Sequence, residues 1–121
     1  MKTQLLCLLA AAGLAAAAEN FTPKELTAMF PAELGPETID VSGYPERQRR
    51  NYRVFTRSCQ QCHSLARAIN SPYSSRKAWA YYLFRMKVRA AAAPAKELSS
   101  EDRAALLDFL AYDSKVRKVE R

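Results

Sequence analysis

Apolar positions recur along this chain at helical spacing, and no stretch alternates with period two. The clearest stripe is Trp79, Tyr82, Leu83 and Met86, at i, i+3, i+4 and i+7. Arg76, Lys77, Arg85, Lys87 and Arg89 fall mostly off it, so the segment reads as an amphipathic helix. Asn70-Ser71-Pro72 breaks the chain before it, and Ser74 or Ser75 can cap its start. A second stripe, Ala105, Leu106, Phe109, Leu110 and Tyr112, follows Ser99-Ser100-Glu101-Asp102, which has the form of a cap with an acidic first turn. Earlier, Pro45 opens a helix running to about Arg57, with Tyr52 and Phe55 three apart on one face. Thr22-Pro23-Lys24-Glu25 starts a short helix to about Phe30, stopped by Pro31. Residues 31–45 hold three prolines, Gly35 and Gly43, and read as a loop. The fold class expected is all-α.

The N-terminus departs from this pattern. After Met1-Lys2-Thr3-Gln4 comes an apolar run from Leu5 to Ala18 that ends in Ala16-Ala17-Ala18. One cation, a short apolar core and a small-residue end are the marks of a cleavable export signal. As a helix the run would span about 21 Å, short of the ~30 Å hydrocarbon core, which speaks against a retained membrane anchor. Cleavage after Ala18 leaves a mature chain of 103 residues, without Lys2 and without Cys7. The expected divisions are a signal peptide over 1–18, a short helix and loop over 19–45, the main domain over 46–113 and a charged tail over 114–121.

Composition narrows the chemistry. The chain of 121 residues has room for one domain, and 26% charged against 49% hydrophobic residues excludes long disorder. Three Cys are too few for a disulfide-stapled scaffold, and only Cys59 and Cys62 remain after export. Those two belong to Cys59-Gln60-Gln61-Cys62-His63, the C-x-x-C-H string of covalent haem attachment. Two thiols at that step match the two vinyl groups on one porphyrin edge, and the following His is placed to bind the iron. Shuffling this composition produces the string about 4 times in 10,000. A thioredoxin-like redox pair needs a βαβ unit, and no strand pattern exists here. A zinc site lacks ligands, since the mature chain has no other Cys or His. Helices this short enclose a small core, which a large flat apolar cofactor would complete.

From Tyr52 through the motif, the break at Pro72, the Trp79…Arg85-Met86 helix and the capped last helix, the chain resembles a small monohaem class I-type cytochrome c. The similarity covers about Pro45 to Tyr112. It implies three to four short helices around one covalently bound haem c. It also implies that the helix before the motif crosses the last helix, with Tyr52 and Phe55 meeting Phe109 and Leu110. By the same resemblance, Cys59 and Cys62 attach the haem, His63 is the proximal ligand and Met86 the thioether ligand, and the Pro72 carbonyl receives the imidazole N–H. The residues alone leave the sixth position open. No second His exists, so Met86, Met29 and an open site remain.

Charge is uneven. Residues 19–45 carry five acids and one Lys, whereas residues 46–89 carry eleven Lys/Arg and one Glu, so the haem motif sits in a strongly basic stretch. Clustered charge of one sign steers an oppositely charged partner, here an acidic redox protein. Nucleic acid is an unsuitable partner for an exported haem protein. The expected function is that of a periplasmic, or otherwise exported, bacterial electron carrier. It is not an enzyme, and it has no stable membrane insertion after signal cleavage. Two alternatives stand beside it: a haem-based gas sensor with an open sixth position, and a dedicated haem subunit of a dehydrogenase. A peroxidase would need a distal base that the single His cannot supply.

Overall fold

Thr22 and Glu25 satisfy each other's backbone at the start of the first helix: the Thr22 N–H donates to Glu25 Oε2 at 2.7 Å and the Glu25 N–H to Thr22 Oγ1 at 3.3 Å. This capping box opens α1 (Pro23–Met29) in a computed structural model that describes residues 22–93 and 97–118. The segment read as an export signal, with Cys7, and also Pro94 and the last three residues lie outside the described residues. Pro31 ends α1, but the chain does not stay irregular. It tightens into a 3₁₀ turn, Pro31–Leu34, before extending to Pro45.

The main helix α2 (Glu46–Cys59) begins where the Pro45 carbonyl accepts the Gln48 and Arg49 N–H groups. It runs two residues beyond Arg57, because Ser58 and Cys59 carry no breaking signal, and this places the first motif Cys in its last turn. A four-residue helix, α3 (Ala66–Ile69), follows the motif and was not marked by any cap or stripe. The two seryl caps behave as their sequence implies. Ser75 Oγ accepts the Ala78 N–H at 3.1 Å and opens α4 (Arg76–Ala90), and Ser99 Oγ accepts the Asp102 N–H at 3.0 Å and opens α5 (Ser100–Asp113). Among the described residues there are no strands, and the fold is all-α.

The core lies where α2 and α5 cross. Phe55, Leu106 and Phe109 are fully buried, and the Phe55 and Phe109 rings sit 5.5 Å apart with Tyr52 5.4 Å from Phe109. Leu110 belongs to the same cluster. Tyr52 also accepts the Ile39 N–H through its hydroxyl at 3.1 Å, tying the extended segment to the crossing. On the outer side, Asp108 collects Gln48, Asn51 and Arg47 from α2, joining the two helices by polar contacts as well.

The segment expected to be a charged tail is folded over residues 114–118. It continues α5 as a π-helical turn, Ser114–Lys118. Ser114 is fully buried, accepting the Trp79 indole N–H at 2.8 Å and donating to the Tyr73 carbonyl at 3.2 Å. Arg117 pairs with buried Asp113 and donates to the Ile69 carbonyl at 2.7 Å. Lys118 donates to the Ser71 and Tyr73 carbonyls and rests over the Trp79 ring, 5.0 Å from its centroid. Arg117 and Lys118 therefore cap open backbone carbonyls, while Lys115 faces solvent.

Asn70 holds the N-terminal segment against α3. Its side-chain amide donates to the carbonyls of Ala32, at 3.1 Å, and Pro36, at 3.0 Å. Gly35 passes so close that a Cβ there would stand 2.2 Å from the Asn70 amide, so a side chain at 35 would displace this brace.

Candidate functional site

The C-terminal turn of α2, the inner face of α4 and the entry to α5 do not close on one another. They leave a cavity of about 300 Å³. Cys59, Cys62 and His63 line it from the motif, and Tyr82, Leu83, Met86 and Ala90 line it from α4. Leu98 and Leu106 complete the apolar wall. Four cations, Arg67, Lys87, Arg89 and Arg103, also line the cavity, and no carboxylate does.

The helix places the two thiols differently. Cys59, in the last turn of α2, is half-buried against the core cluster, and burial pushes its thiol pKa up to about 12. It is therefore protonated at neutral pH. Cys62 is exposed in the turn beyond, and neither Cys is in a disulfide. His63 is half-buried, with Nδ1 2.9 Å from the Ser64 carbonyl. A proton on Nδ1 donates to that carbonyl and leaves the Nε2 lone pair for a metal. The acceptor is thus the neighbouring backbone carbonyl, in place of the Pro72 carbonyl that the family resemblance implied. Ser64 is itself held, donating through Oγ to Glu37 at 3.0 Å while accepting the Ala66 N–H at 3.1 Å.

Of the two methionines in the mature chain, the fold brings Met86 to the cavity and leaves Met29 exposed at the end of α1. Trp79, which shares the Met86 stripe, turns instead into the core with Leu83.

Several lining residues carried no signal of their own in the sequence. Leu98 precedes a helix cap and Arg103 lies on the polar side of the α5 stripe, yet both reach the cavity from about forty residues beyond the motif. Arg67 is oriented by an ion pair with Glu33, with Nε 2.7 Å from the carboxylate, and by the Phe30 ring 5.3 Å beneath its guanidinium. Its only sequence signal was membership of the basic stretch.

Among the described residues, no group of three or more His, Cys, Asp or Glu side chains could hold a metal ion by itself. Two thiols, an imidazole and a thioether around an apolar, cation-lined space are instead side chains that could hold a covalently attached haem, with the cations placed to offset its carboxylates. The residues present fit that group. No helix among the described residues is long and apolar enough to cross a membrane. The chain matches no protein-family model, no curated protein and no solved structure.

Proposed function

We propose that this chain is an exported monohaem c-type cytochrome that passes single electrons between redox partners. The observation that carries this reading is the convergence of Cys59, Cys62, His63 and Met86 on one apolar cavity lined by cations. A bound haem supplies a one-electron iron couple. Cys59 and Cys62 would hold it covalently through their sulfurs. His63, oriented by the Ser64 carbonyl, would offer a nitrogen to the iron, and Met86 would offer a soft thioether sulfur, which favours ferrous iron and raises the potential. Tyr82, Leu83, Leu98 and Leu106 exclude water, which further disfavours the more highly charged ferric state. Arg67, Lys87, Arg89 and Arg103 offset the propionates. With His63 in a turn and Met86 on a helix, neither residue would need to move far on electron transfer. No substrate is transformed. The basic stretch from Glu46 to Arg89 steers an acidic redox protein to this side of the molecule.

The test is covalent haem in protein exported from a bacterial host. Haem staining should survive a denaturing gel for the wild type and vanish in Cys59→Ala/Cys62→Ala. The haem-free double variant should also lose its cooperative unfolding transition, since nothing fills the cavity beside the core. A wild type without stain, or a double variant that keeps it, overturns the reading.

A further inference from the structure

Helix α4 carries apolar side chains on two opposite faces. Trp79 and Leu83 are buried, whereas Tyr81, Phe84 and Val88 are 62%, 61% and 58% exposed. The spacing i, i+3, i+7 sets these three in one outward stripe, and a helix apolar on both faces normally has something against each. Lys77 and Arg85 flank the stripe, both exposed, with the Arg85 guanidinium 6.0 Å from the Tyr81 ring centroid. No acidic residue occurs anywhere in α4. The cavity residues Leu83, Met86 and Ala90 lie on the other side of the helix, so whatever covers the stripe leaves the haem site free.

The N-terminal lobe repeats this composition with the charge reversed. Met29, Phe30 and Leu34 are exposed there, Phe30 with the Arg67 guanidinium over one face, and the same segment carries the exposed acids Glu25, Asp40 and Glu37, the last also accepting from Ser64. Glu33 is already paired with Arg67, and Lys24 is the one cation between residues 19 and 45. The molecule thus presents a basic aromatic stripe and an acidic apolar patch, each with the chemistry the other lacks.

We propose that the α4 stripe is the docking surface for the N-terminal lobe of a second copy of this chain. Tyr81, Phe84 and Val88 cover Met29, Phe30 and Leu34, with Lys77 and Arg85 facing Glu37 and Asp40. The contact joins unlike patches. It closes as a two-fold dimer where both pairs form at once, and extends head to tail where they do not. Its opposite charges steer assembly, and salt weakens it.

Light scattering on the purified full-length mature protein at about 100 µM, in ~20 mM and in ~300 mM salt, tests this. The mass should exceed one chain at low salt and approach one chain at high salt. Tyr81→Ser/Phe84→Ser should weaken self-association at least about tenfold. Lys77→Glu/Arg85→Glu alone and Glu37→Lys/Asp40→Lys alone should each be monomeric, while an equimolar mixture of the two should associate again. Circular dichroism confirms that each variant is helical. A wild type that is one chain at both salts overturns the proposal, as does a mixture that stays monomeric. Association indifferent to all three variants also overturns it. A wild-type monomer that instead binds anionic vesicles through Tyr81 and Phe84 would assign the stripe to a lipid surface and overturn the second-copy reading.

Discussion

The two sides of α5 differ in how completely they are filled. Toward α2, the Phe55 and Phe109 side chains are fully shielded, the aromatic rings touch, and Asp108 collects polar partners from the facing helix. Toward the inner face of α4, beyond the Trp79 contact, the chain leaves about 300 Å³ lined by two thiols, an imidazole, a thioether and four cations. Large side chains on both partners close the first contact. Small or flexible ones, Ala90, Met86 and the paired Cys, leave the second open. The filled side holds the helices in place, and the open side leaves the space that the proposed haem would fill. A small chain manages both because one helix, α5, contributes to each: Phe109 faces α2, while Leu106 and Arg103 reach the cavity.

This contrast can be broken by substitution, and the largest effect belongs to the filled side. Phe109→Ala removes the ring that meets Tyr44, Tyr52 and Phe55, and should cost about 3–5 kcal/mol of unfolding free energy in urea titration. A loss below ~1 kcal/mol would mean that the crossing is less tightly packed than its burial implies.

On the open side, Met86→Ala should cost less stability, about 1–2 kcal/mol, because the side chain is only half-buried. Its signature is chemical instead. The weak far-red thioether-to-iron band of the ferric protein should disappear, the ferrous protein should bind carbon monoxide, and the potential should fall. Met29→Ala should leave all three unchanged. A wild type that already binds carbon monoxide readily would move the open-site sensor ahead of the electron carrier.

The smallest effect concerns the polar seam joining the loop to the end of α5. Burial, reinforced by the 2.7 Å bond to Asp113, raises the Tyr44 phenol well above its usual value near 10. The folded state therefore holds this proton where the unfolded chain releases it. The resulting stability is fully present below about pH 10 and is lost as pH rises through the folded value. Tyr44→Phe should cost about 1 kcal/mol at pH 7 and flatten the stability decline above about pH 10. An identical alkaline decline in both proteins would show that Tyr44 does not contribute to it.

What was legible in advance follows the range of the interactions concerned. Ser75 and Ser99 cap their helices because each Oγ reaches an N–H three residues on, a contact that needs no other part of the chain. The stripes of α4 and α5 and the spacing of Cys59, Cys62 and His63 are equally local, so the all-α class and the core of the candidate site could be read directly. Even within a stripe, though, periodicity did not separate Trp79, which enters the core, from Met86, which faces the cavity. Both satisfy the same 3.6-residue period, and the difference lies in what stands opposite each.

The amino-acid sequence by itself determined the four longer helices, the Thr22, Ser75 and Ser99 caps and the local grouping of Cys59, Cys62 and His63. Only the tertiary structure decided that Leu98 and Arg103 share a cavity with the motif, and that Asn70 leaves no space for a side chain at Gly35. It also decided that residues 114–118 dock, with Ser114 beneath the Trp79 indole and Arg117 and Lys118 on open carbonyls. The reason is separation along the chain. A cap or a stripe is specified by neighbours three or four residues away, whereas a cavity wall or a buried hydroxyl is specified by partners roughly thirty to fifty residues distant, which meet only once the helices have packed.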